Sequence, residues 1–205
     1  MKKLLAVLLA VSLVFAFGAC ADTTSQGDTP QIPSPKPKYV TTANVDMEKL
    51  NVVIETELGD IHVALNPDVA PITVTNFQKL VSENFYEGLT FHRVIEGFMI
   101  QGGASAAKKA EPIKGEFSAN GVGNTLLHTR GVISMARTDD PNSANSQFFI
   151  MHADYPSLDG QYAAFGEVTE GIEVVDAIVK NSPVEDDNGT VAAENQIKIN
   201  RIYFK

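Results

Sequence analysis

Eight short strand-like runs, set against only two stretches of helical period, limit this chain to a mostly β fold. The runs are Val52 to Glu57, Ile61 to Leu65, Leu89 to Ile95, Phe98 to Gln101, Val132 to Ala136, Gln147 to Met151, Ala163 to Val168 and Gln196 to Phe204. The first two flank Leu58-Gly59-Asp60 and predict a hairpin, because Ile61, Val63 and Leu65 hold one phase after the glycine. In the last run Ile197 and Ile199 share a face while Ile202 and Phe204 fall out of phase, which predicts a bulge. Pro71 is placed to open a helix through Val74, Phe77, Leu80 and Val81 toward a break at Gly88. Ile172, Val175, Ile178 and Val179 predict a second helix that ends before Pro183. Many short strands with two helices favour a closed antiparallel sheet with helices over its open ends.

Ahead of Leu50 the sequence changes character. Lys2 and Lys3 precede an apolar run from Leu4 to Phe17, then Gly18, Ala19 and Cys20, the basic, apolar and small-residue order of a secretory signal peptide. Cys20 is the one cysteine of the chain, so no intramolecular disulfide framework is available. The ending Phe17-Gly18-Ala19-Cys20 resembles a bacterial lipobox, which implies that Cys20 is lipidated and becomes the mature N-terminus. The other readings are ordinary secretion and an uncleaved anchor, for which Leu4 to Ala21 reaches only the lower edge of the roughly 18 residues a spanning helix needs. All of these place the domain outside the cytoplasm, and the expected location is that of a membrane-anchored lipoprotein of the cell envelope. Pro30, Pro33, Pro35 and Pro37 nearly alternate and predict an extended tether of roughly 3 Å per residue. The expected organisation is a signal peptide over 1–19, a lipid-anchored N-terminus and Pro-rich linker over 20–49, and one domain over 50–205.

Composition removes several kinds of chemistry. A formal net charge of −9 argues against a nucleic-acid partner. His62, His92, His128 and His152 are too far apart for a helical metal motif, and no C-x-x-C, G-x-S-x-G or phosphate-binding glycine loop occurs. No metal and no cofactor is expected.

Three segments stand apart: FHRVIEGFMIQGG over 91–103, GVISMARTDDPNSANSQFFIM over 131–151, and LDGQYAAFG over 158–166. In order and spacing they resemble the signature blocks of the cyclophilin family, and the resemblance runs from near Asn51 to Lys205. It implies a closed eight-stranded antiparallel barrel capped by two helices, filled by side chains, with a groove on its outside. The implied activity is peptidyl-prolyl cis-trans isomerisation of proline-containing polypeptides, by a monomer. Residue by residue, the family's catalytic arginine matches Arg93, and the glutamine that orients it matches Gln101. Phe98, Met99, Phe149 and Leu158 match the proline pocket. Tyr162 stands where many eukaryotic members have histidine, and Phe165 is a neighbouring apolar match. Ala136 and Arg137 match the edge whose backbone binds the residue before the proline. Ser157 replaces a tryptophan that helps many eukaryotic members hold cyclosporin, which implies weak binding of that drug.

These residue types suit the chemistry without the resemblance. An X-Pro bond turns slowly because amide resonance opposes it with a barrier of about 18 to 20 kcal/mol. A fixed guanidinium aimed at the imide nitrogen favours the twisted state, in which that nitrogen gains a lone pair, over either planar form. Phe91, Val94, Ile95, Ile100, Ile133 and Phe148 read instead as core, and His92 as a packing residue. Two other readings stay open at this point: a module that grips proline segments without catalysis, and a barrel that carries a ligand inside.

Overall fold

The computed structural model describes residues 38–205. The expected signal peptide, Cys20 and the four tether prolines lie outside the described residues. Strand β1 (Asn51–Thr56) pairs antiparallel with β2 (Gly59–Leu65), with Thr56 opposite Gly59, so the expected hairpin turns through Glu57 and Leu58. There follow α1 (Pro71–Ser82), β3 (Phe91–Ile95), β4 (Met99–Gly102), β5 (Val132–Met135), β6 (Phe148–Met151), β7 (Ala164–Glu170), α2 (Ile172–Asn181) and β8 (Ile199–Phe204). The eight strands form one antiparallel sheet in the order β3-β4-β6-β5-β7-β2-β1-β8. In β8 the partners of Glu55 and Thr56 are Arg201 and Ile199, so Asn200 is the extra residue of the expected bulge and both Ile199 and Ile202 are buried.

One side of the curled sheet is filled. Ile54, Ile61, Phe91, Ile100, Ile133, Phe148 and Phe165 are fully buried there, and α1 adds Phe77, whose ring centroid lies 5.2 Å from Phe165 and 5.8 Å from Phe148. From α2, Val175 and Ile178 join the same core. Burial of each such side chain contributes roughly 1.5 to 3 kcal/mol, and these bulky side chains occupy the interior in which a carried ligand would have to sit. Helix α1 begins at Pro71, and the buried Glu116 carboxylate accepts from the N–H groups of Ile72 and Thr73 at 3.0 and 2.7 Å. A side chain distant in sequence thus satisfies two of the helix's free donors and meets its positive end.

The closed barrel expected from the sequence is corrected to an open, curled half-barrel. The residues just ahead of β3 and β8 meet at an isolated bridge between Thr90 and Lys198, beside Phe91 N–H donating to Ile197 O. Further along, the free edge of β3 is taken by another segment: Arg93 bridges Thr190, Val94 N–H donates to Gly189 O at 2.8 Å, and Val191 N–H donates to His92 O at 3.1 Å. A strand edge has one row of donors and acceptors, and here residues 189–191 use what β8 would need.

Ordered packing also starts ahead of the Leu50 boundary. Val40 bridges Ile113, and Asp46 N–H donates to the Gln78 side chain on α1 at 2.9 Å.

Candidate active site

The outer face of the sheet carries a second, smaller apolar cluster. It exists because Met99, Phe149 and Met151 alternate with inward-facing Ile100, Phe148 and Ile150, so both faces of β4 and β6 are apolar. Arg93, Gln101, Phe149 and Ser134 are successive cross-strand partners, on β3, β4, β6 and β5. Neighbouring strands lie about 4.8 Å apart, which sets Arg93 roughly 10 Å from Phe149 across Gln101.

A bulge makes this possible. Phe91 pairs with Gly102 and Arg93 with Gln101, leaving His92 as the extra residue. Strict alternation would put Phe91, Arg93 and Ile95 on one face. With His92 bulged, Phe91 and Val94 are buried in the core while Arg93 and Ile95 face outward. Ile95 therefore packs against the outer cluster, which corrects its expected place in the main core.

Arg93, Phe98, Met99, Gln101, Ala136, Arg137, Phe149, Leu158 and Tyr162 line one pocket of about 260 Å³. These are the nine candidate residues that the sequence singled out. Arg93 Nε donates to the Asn188 carbonyl at 2.7 Å and Nη1 donates to Gln101 Oε1 at 3.3 Å. Gln101 in turn donates from Nε2 to Gln147 Oε1 at 2.9 Å. A guanidinium has five N–H donors; with two engaged here, the rest are free for a ligand. Met99 and Phe149 form a dry floor, 1% and 4% exposed. The Phe149 and Tyr162 rings meet edge to face at 5.8 Å. Phe165 is not part of the site: it is fully buried in the main core against Phe77.

The model of the family described as cyclophilin type peptidyl-prolyl cis-trans isomerase/CLD matches residues 51–203. The chain belongs to the cyclophilin family. It is a peptidyl-prolyl cis-trans isomerase, in agreement with the names of its relatives. The peptidyl-prolyl cis-trans isomerase of Acinetobacter baylyi is 47% identical over a match covering 62% of this chain and 70% of that protein. Peptidyl-prolyl cis-trans isomerase A of Dickeya dadantii is 45% identical, over 62% and 70% of the two chains. A crystal structure of a Cryptosporidium parvum cyclophilin type isomerase superposes with a TM-score of 0.66 at 30% identity, covering 77% of this chain and 98% of that one. A second structure of that protein, in the presence of the dipeptide Ala-Pro, matches with a TM-score of 0.63, 30% identity and coverage of 76% and 98%.

Three further groups of this cyclophilin bear on the site and were not singled out from its sequence. Gln147 shares the outward phase of Phe149 and Met151, and that alternation is the signal that could have found it. The Asn188 carbonyl has no local signal, because its partner Arg93 lies 95 residues earlier. The third is a line of Ser134, His128 and Asp159: His128 Nε2 lies 3.1 Å from Ser134 Oγ, and Nδ1 lies 3.0 Å from Asp159 Oδ1. It has the composition of a hydrolytic triad, but Ser134 is 0% exposed and no substrate carbonyl can reach it. Its role is to fix the His128 ring, which stacks on Phe149 at 6.0 Å. Burial holds the His128 imidazole below its usual pKa, with Asp159 opposing the shift. Burial likewise lowers that of His92, and the nearby Arg93 charge adds to the effect. His92 Nδ1 has no hydrogen-bond partner, in keeping with a packing residue. Among the described residues no cluster of His, Cys, Asp and Glu is placed to hold a metal ion, and no helix is long and apolar enough to cross a membrane.

Proposed function

We propose that this cyclophilin accelerates X-Pro rotation in secreted or envelope polypeptides, with Arg93 stabilising the twisted imide above an apolar proline pocket. The observation that carries this reading is the pairing of a tethered guanidinium with the dry floor of Met99 and Phe149 in one pocket. The proline ring sits on Met99, Phe149, Phe98 and Leu158, while the chain before it pairs with the backbone at Ala136 and Arg137. As the carbonyl turns, the proline nitrogen loses conjugation and accepts a hydrogen bond from Arg93. A planar amide offers no such lone pair, so the interaction lowers the barrier without tightening the ground state. One charge-assisted hydrogen bond contributes roughly 1.5 to 3 kcal/mol, and a rate gain of about five powers of ten needs roughly 7 kcal/mol. Ring anchoring and exclusion of water supply the rest.

The same reading places the domain outside the cytoplasm as a monomer on a tether, held to the membrane by a lipidated Cys20. The order of basic, apolar and small residues before Cys20 supports it. Two experiments test the reading. In a protease-coupled assay on a short X-Pro peptide, Arg93→Ala is expected to lose most of the rate; a rate equal to wild type sinks the mechanism. Mass spectrometry of the membrane fraction is expected to find Cys20 acylated at the mature N-terminus; an unmodified, uncleaved chain there sinks the anchor.

A further inference from the structure

The segment on the free edge of β3 does more than cover a strand. Val184 bridges Val191, and Glu185 N–H donates to Thr190 O at 2.8 Å, so residues 184–191 form a small hairpin. Its turn is built around one carboxylate. Asp186 Oδ1 accepts from Thr190 N–H at 3.0 Å, Asp186 Oδ2 accepts from the Thr190 hydroxyl at 2.9 Å, and Gly189 N–H donates to Asp186 O at 3.0 Å. The two hydrogen bonds from Thr190 to its carboxylate hold the Asp186 carboxyl below its usual pKa, so it stays ionised across the neutral range. Gly189 has φ +79, and a Cβ there would lie 2.4 Å from Val94 O and 2.5 Å from Ile95 Cγ1. The turn is therefore pressed against β3 with no slack for a side chain.

The residue at the tip of that turn is Asn188, whose carbonyl accepts from Arg93 Nε. Guanidinium orientation is fixed by two acceptors: Gln101 Oε1 from the strand beside it, and Asn188 O from the hairpin. An arginine has four side-chain torsions, and two hydrogen bonds on different nitrogens of the planar group remove most of that freedom. Without the Asn188 acceptor, Gln101 alone leaves the fork free to swing about Nη1.

We infer that Asp186 is a positioning residue for catalysis: by bracing Thr190 it sets the Asn188 carbonyl, which aims the Arg93 fork at the imide nitrogen. This rests on the proposed role of Arg93 and adds the element that makes that role possible. Asp186 touches no substrate, and it acts on the twisted state alone. Its removal therefore lowers kcat and leaves KM nearly unchanged.

The test measures kcat and KM on an X-Pro peptide with the full chain and its variants. Asp186→Ala is expected to lower kcat about 5-fold or more with KM within about 2-fold. Asp186→Asn keeps an acceptor for Thr190 and is expected to retain at least about half of the wild-type kcat. In the Arg93→Ala background the same Asp186→Ala change is expected to have no further effect, because the group it positions is gone. Should Asp186→Ala fail to fold by circular dichroism, Thr190→Val removes the hydroxyl hydrogen bond and keeps the backbone bridge, with a fall of about 2- to 3-fold expected. The inference is overturned by a wild-type kcat in the folded variant, or by an equal fold-loss in both backgrounds. Failure of the parent reading is distinct, since it shows as a wild-type rate in Arg93→Ala itself.

Discussion

The Arg137 guanidinium carbon lies 4.7 Å from the centre of the Tyr162 ring and 5.2 Å from that of Phe117. Arg137 Nε also donates to Gln161 O at 3.0 Å, and Nη1 to Thr138 O at 2.8 Å. The resemblance to the family gave Arg137 a role through its backbone alone. Here its side chain is a fixed wall of the pocket, stacked on the ring that meets Phe149. Removing a cation from an aromatic face costs roughly 0.5 to 2 kcal/mol. Arg137→Ala is expected to raise KM about 2- to 30-fold with kcat little changed. Steady-state kinetics checks this, and a fall in kcat alone would contradict it.

Gln147 holds Gln101, which holds Arg93. Gln147→Leu keeps the bulk of the side chain and leaves the Gln101 amide without its acceptor. A net loss of about 0.5 to 1.5 kcal/mol corresponds to a fall in kcat/KM of roughly 2- to 13-fold. The peptide assay reads it directly.

Cyclosporin is expected to inhibit weakly, because the exposed Ser157, in the turn Pro156–Leu158, offers no aromatic surface beside Leu158. Ser157→Trp is expected to tighten inhibition with the isomerase rate unchanged. An inhibition titration of both proteins decides it, and tight binding by the wild type would contradict the expectation.

Stability is expected to fall on mild acidification. His128 and His92 both have folded-state pKa values lowered by burial, so the unfolded chain binds protons more readily than the fold does. The stability they contribute is complete above an unfolded-state pKa of about 6.5 and is lost as pH falls from there through the folded values. Denaturant midpoints at pH 7.5 and 5.5 are expected to show the drop. His128→Gln is expected to reduce the difference between the two midpoints, since the residue that must charge is removed.

The pocket was legible because its parts are local. Phe98, Met99 and Gln101 follow Arg93 within nine residues, and Phe149 sits in a run whose alternation shows its face. What escaped was set by pairings between distant segments. The half-barrel stays open because residues 189–191 occupy the edge of β3, and neither that segment nor β3 announces the pairing. Ile95 faces the outer cluster for a related reason: the bulge at His92 shifts the phase of the strand after it, and no proline or glycine marks the spot. Phe165 matched the family segment around the pocket, yet its phase on β7 turns it into the core.

Catalysis as proposed depends on Arg93 recognising a rotating imide rather than a resting one. Nuclear magnetic resonance exchange on one X-Pro peptide, with wild type and Arg93→Ala, gives the affinity and the cis-trans exchange rate of the bound peptide from the same sample. The predicted result is an affinity within about 3-fold and an exchange rate lower by about 10-fold or more. An exchange rate that survives the substitution, or a loss that lies wholly in affinity, would contradict it.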